Sequence, residues 1–178
     1  MKKILALFTV LLCGNFLFAG CTVHKDFSVT LHKAFDVNYA GLSYSRTDTL
    51  DASKASADYQ KYRSDITAVD VQSGTYTVTT FTGSATQKVI TGTLTVSNLD
   101  KSVNKPLATL SNVTLMPIVG VAQPLTLTDE GKTFLQEQLM GSGSSALLTF
   151  SASTNEQPIV FSVDFRFEVK ATYSKTIP

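Results

Sequence analysis

The chain has no tryptophan, and only two cysteines, two histidines and five prolines in 178 residues; just 16% of it is charged. Each shortage excludes something. Without Trp, a sugar-stacking platform would have to rely on Tyr alone. Cys13 falls in an apolar leader, so a processed chain keeps only Cys21, which rules out a disulfide framework and a cysteine-based zinc site. His24 and His32, eight positions apart on an extended segment, lie too far from each other to share an ion. With no other histidine and no Gly-x-Ser-x-Gly elbow, a Ser-His-Asp triad has no support. Formal charge is +1, and losing Lys2 and Lys3 with residues 1–20 leaves 13 basic against 14 acidic residues, or −1. Such a balance carries no electrostatic footprint for nucleic acid.

What is present begins with the leader. Met1-Lys2-Lys3 is a short positive region, and Ile4 to Leu12 is a mostly apolar run that contains only Thr9 as a polar residue. Gly14-Asn15 interrupts it well short of the roughly 20 apolar residues that a membrane span needs, so it reads as a secretory signal. At the junction, Phe18-Ala19-Gly20-Cys21 resembles the lipobox of bacterial lipoproteins, in which small residues precede a cysteine that is acylated and becomes the new N-terminus. The resemblance implies a signal peptide over 1–20, palmitate-type acylation at Cys21, a lipidated tether over 21–26 and a membrane address. Thr22 in place of Asp after the cysteine implies passage to the outer membrane. A conventionally cleaved secreted protein and an uncleaved anchor helix are the alternatives, but ordinary cleavage would place bulky Leu17 or Phe18 at the −3 site.

Past the leader the pattern is β. From Ile159 to Tyr173 every odd position is apolar, and after Val160 every even one is polar. A period of two predicts a strand with one buried comb (Ile159 through Tyr173) and one wet comb that includes Asp164, Arg166, Glu168 and Lys170. Phe27 to Tyr39 predicts one bent strand or two short ones, and Ile66–Val71 and Thr75–Phe81 two strands about a turn at Gln72-Ser73-Gly74. Val89–Val96, with Ile90, Leu94 and Val96 on one face, predicts another, and Leu107–Met116 a further one. Leu148-Thr149-Phe150-Ser151-Ala152 is expected to form a hairpin with the last strand. Ser53 is expected to cap a short helix to about Arg63. Thr128, followed by Asp129 and Glu130 where a helix dipole favours negative charge, starts the one clear helix, near 129–140, with Gly141 closing it. Residues 27–178 therefore predict a single mostly β domain, an antiparallel β-sandwich of about eight strands, with a small β-barrel as the alternative. At fifteen residues the final strand exceeds the usual length, so it is expected to bend or to pair in both sheets.

No catalytic, cofactor or metal set emerges. Gly131-Lys132-Thr133 lacks the first glycine of a P-loop, because position 126 is Thr. Asp164 and Glu168, four residues apart on a strand, stand about 13 Å from each other, too far for paired-carboxylate chemistry. Asp48 and Asp51 lack the ligand spacing of a calcium loop. One clustering remains: Tyr39, Tyr44, Tyr59 and Tyr62 form a candidate recognition surface, or else cap the ends of the sandwich. The sequence thus points to a non-enzymatic, lipid-anchored envelope protein of structural or interaction role, with a possible envelope protein as partner. The alternative is a carrier holding a lipid or other apolar ligand between the sheets.

Overall fold

The last strand, β8 (Ile159–Ile177), runs through the middle of one sheet, and Ile159, Phe161, Val163, Phe165, Phe167, Val169, Ala171 and Tyr173 are all buried. In the computed structural model, which describes residues 21–140 and 143–177, β8 pairs antiparallel with β1 (Cys21–Tyr39) along its whole length. Its other side takes β3 (Ile66–Phe81), and a short β6 (Gln123–Leu125) completes the order β1-β8-β3-β6. The second sheet has the order β2-β7-β4-β5, built from β2 (Ser43–Asp51), β4 (Lys88–Ser97), β5 (Asn104–Thr114) and β7 (Ser145–Thr154). The pairs nest: first strand with last, second with seventh, third with sixth, fourth with fifth. One long hairpin rolled over itself has this nesting, which is the jelly-roll form of an antiparallel sandwich. Two separate sheets replace the barrel considered as an alternative.

The core lies between the sheets. β7 alternates without a break, burying Ala146, Leu148, Phe150, Ala152 and Thr154. Phe150 meets Phe165 across the layers at 5.2 Å and Phe35 at 5.8 Å between ring centroids. Fully burying one such side chain contributes about 1.5–3 kcal/mol, so the comb of β8 accounts for a large share of stability.

Several expectations need correction. β7 and β8 are not a hairpin; residues 155–158 carry the chain from one sheet to the other. Buried Gln87 holds that crossing, its amide donating to the carbonyls of Glu156 (2.9 Å) and Pro158 (3.0 Å). β8 stays in one sheet, and its neighbour β3 takes up the mismatch through three register shifts. One of them, between Val71 and Ser73, replaces the turn expected at Gln72-Ser73-Gly74, since an extra residue in a strand bulges without ending it. A shift between Val89 and Thr91 likewise turns Ile90 outward, 39% exposed. Thr22–Asp26 is no tether but the start of β1, paired with residues 172–176 of β8. The pattern hid it because these rungs extend past the core and are held by polar cross-strand pairs.

The helices follow their caps. Asp51 and Ser56, not Ser53, cap α1 (Ala52–Ala55) and α2 (Ala57–Tyr62). α3 (Asp129–Leu139) starts where expected: Thr128 Oγ1 accepts from the Gly131 amide at 3.1 Å and donates to the Pro106 carbonyl at 2.5 Å. Gly131 lies so close to β5 that a Cβ there would collide with the Pro106 carbonyl and stand 2.6 Å from Leu107 Cα. The Gly-Lys-Thr triplet therefore serves helix-to-sheet packing, and Gly141 lies outside the described residues.

Candidate functional site

The four tyrosines do not form one surface. Tyr59 is fully buried, donates its hydroxyl to the Leu139 carbonyl at 2.8 Å and meets Phe27 edge-on at 5.8 Å. Burial without a charged partner pushes its phenol well above the ordinary value. Tyr62 stacks on Tyr173 with centroids 4.0 Å apart and planes 8° apart, and Phe27 touches both rings. Lys61 lies 4.8 Å from the Tyr62 ring and lowers that phenol's pKa. This aromatic knot caps the end of the sandwich at which Cys21 lies. Tyr39 and Tyr44 belong to the other end, because Phe27 and Tyr39 are twelve residues apart on β1, about 40 Å. There Tyr39 is 51% exposed, and half-buried Tyr44 donates to the Asp36 carbonyl at 3.2 Å.

Cys21 is the first described residue, with its backbone opposite Ile177 in the β1–β8 ladder. The rungs beside it are polar: Ser174 Oγ and His24 Nδ1 stand 2.8 Å apart, and Asp26 bonds Thr172 Oγ1 and Lys170 Nζ, each at 2.7 Å. The ammonium of Lys170 holds the Asp26 carboxyl below the usual range.

The outer face of the β1-β8-β3-β6 sheet holds the remaining charged cluster. Thr30 donates to both oxygens of Glu168 (2.9 and 3.0 Å), and Ser162 donates to Asp36 at 2.7 Å. Asp164 departs from the wet comb assigned to it, being only 7% exposed. Arg166 Nε bonds its Oδ2 at 2.8 Å, while His32 Nδ1 stands 3.5 Å from Oδ1, which has no hydrogen-bond partner. Alternation alone could not show this, because the covering imidazole comes from a strand more than 130 residues away.

No protein-family model matches this chain, and no curated protein does. Among solved structures, it is similar to a chain of Desmodium yellow mottle tymovirus: 9% identity, 89% of this chain, 91% of that one, TM-score 0.38. The decameric BFDV capsid protein shows 13% identity over 84% of this chain and 99% of its own, at TM-score 0.41. A turnip yellow mosaic virus chain shows 11% identity over 89% and 96%, at TM-score 0.39. Likenesses this faint carry nothing about function.

Among the described residues no three His, Cys, Asp or Glu side chains converge as a metal site, and no helix is long and apolar enough to cross a membrane. Several carboxylates are engaged in structure. Lys33 reaches Asp48 at 2.7 Å and lowers its pKa, and Glu156, held low by Ser84 and Thr86, ties the 82–87 loop to the crossing at 155–158. What the geometry offers is surfaces: a charged face on one sheet, and on the other a run of cross-strand rows without charged residues.

Proposed function

We propose that the chain is a lipid-anchored lipoprotein of the cell envelope, bound for the outer membrane, whose sandwich serves as a non-enzymatic structural or interaction module. The observation that carries this is the junction Ala19-Gly20-Cys21 behind a short basic and apolar leader. Each acyl CH₂ buried in a bilayer adds about 0.8 kcal/mol, so several chains on one cysteine hold a domain firmly. One feature of the fold agrees with a non-enzymatic role: every carboxylate with a lowered pKa has a structural partner. A carrier reading draws on the eleven phenylalanines, but ring-on-ring packing of Phe35, Phe150, Phe161 and Phe165 at 5.2–6.3 Å accounts for these as core. The test is metabolic labelling with radioactive palmitate in a bacterial host. Label is expected in the wild type and absent from Cys21→Ala; an unlabelled wild type recovered from the soluble fraction ends the proposal.

A further inference from the structure

The middle of the outer face of the β2-β7-β4-β5 sheet is a lattice of hydroxyls, with exposed Ile90 beside it. Cross-strand pairing puts Ser43, Ser153, Thr91 and Ser111 in one row over four strands. The next row is Ser45, Ser151, Thr93 and Thr109. In the third, Thr47, Thr149 and Thr95 share a line that Pro106 closes. Every side chain in the first two rows ends in a hydroxyl, and none of the three rows holds Asp, Glu, Lys or Arg. Solvent-facing surfaces of small domains ordinarily carry about 25–35% charged residues, and the opposite sheet of this molecule carries its charge in just this position.

The hydroxyls are ordered but not spent. Ser45 and Ser151 lie 2.7 Å apart, Thr47 and Thr149 2.7 Å, Thr91 and Ser153 2.6 Å. A hydroxyl pair has two donors and four lone pairs, and its internal bond uses one of each, leaving one donor and three acceptors facing out. Six of these residues, with Tyr44 and Ala152, also line a shallow open trough of about 370 Å³: Ser43, Ser45, Thr91, Thr93, Ser151 and Ser153.

From this lattice we infer a binding face for a neutral polysaccharide. A polyol chain offers both donors and acceptors without charge, so it can match this face without stripping water from any ion. Nucleic acid binding needs Lys or Arg along the track, and the three rows have none. A second copy of the chain fits poorly. Four strands at about 4.8 Å and three rows at about 6.7 Å cover roughly 400 Å², half of the ~800 Å² per partner in a stable complex. The face also lacks the aromatic and Arg anchors that hold protein interfaces together. With no aromatic platform, hydrogen bonds carry the binding, and repetition along a polymer supplies the avidity. This inference deepens the reading as an envelope interaction module by naming the partner class.

Native gels cast with dextran, laminarin or mannan test it on the full chain in mild detergent, with alginate as the charged control. At least one neutral polymer is expected to slow the wild type twofold or more, and alginate to leave it unchanged. Thr93→Lys on β4 and Ser45→Lys on β2 are each expected to abolish the retardation while the melting midpoint holds; two strands are probed so that a folding defect in one leaves the other readable. Unchanged mobility in all three neutral polymers overturns the inference, as does retardation that survives both folded variants. A dimer in sedimentation that Ser45→Lys dissolves also overturns it, in favour of a second copy. Cys21→Ala is expected to bind like the wild type, so absent acylation leaves this result standing and absent retardation leaves the anchor standing.

Discussion

At the residue scale the informative position is Asp164. Its carboxylate keeps one oxygen bonded to Arg166 and leaves the other buried without a hydrogen bond. An unsatisfied buried acceptor costs about 1–3 kcal/mol, whereas the bond to a half-exposed Arg166 contributes little once water screens it. Asp164→Val removes the orphan oxygen and puts a β-branched side chain in mid-strand. We expect it to raise stability by about 1 kcal/mol, read as a shift in urea midpoint at unchanged slope. A loss of 1 kcal/mol or more would show that the pairing with Arg166 and His32 outweighs the orphan. The sign matters beyond this one site, because an aspartate kept against its own stability cost is one that something other than folding retains.

At the scale of elements the comb of β8 governs. Phe165 is fully buried and touches Phe35, Tyr76 and Phe150, contributed by three other strands and both sheets. Phe165→Ala removes contacts on every side in a layer that cannot collapse around the gap. It is expected to cost about 3–5 kcal/mol, measured by chemical denaturation. Loss below 1 kcal/mol would mean that the layers repack freely. That comb was legible in the sequence because burial on one face imposes a period of two on local residues. α3 was legible because its cap and first-turn carboxylates are adjacent in the chain. Sheet membership was not: β7 and β8 carry matching alternation, and the crossing between them is held by Ser84, Thr86, Gln87 and Lys88, some seventy residues away. The tyrosines grouped in sequence were separated by the length of β1. The hydroxyl face left a trace in Thr-x-Thr and Ser-x-Ser repeats on three strands and in Thr109-Leu110-Ser111 on β5, but its rows exist only in the register between those strands.

At the scale of the molecule the nesting of pairs sets how the chain can reach its fold. The innermost pair closes a short connection, Ser97 lying opposite Asn104, while the outermost brings Cys21 to Ile177. Each pair, once formed, shortens the effective loop that the next must close, so zipping outward from β4–β5 costs least entropy. Partners this distant in sequence place folding in the range of milliseconds to seconds. The order also predicts how mutations divide between the two rates. Leu94→Ala, in the inner hairpin, is expected to slow folding with little change in unfolding, whereas Val29→Ala, on the outermost strand, is expected to speed unfolding and leave folding nearly alone. With six tyrosines and no tryptophan, stopped-flow tyrosine fluorescence reads both. Should Val29→Ala slow folding more than Leu94→Ala does, the chain closes its ends first, and the rolled hairpin describes only the finished fold.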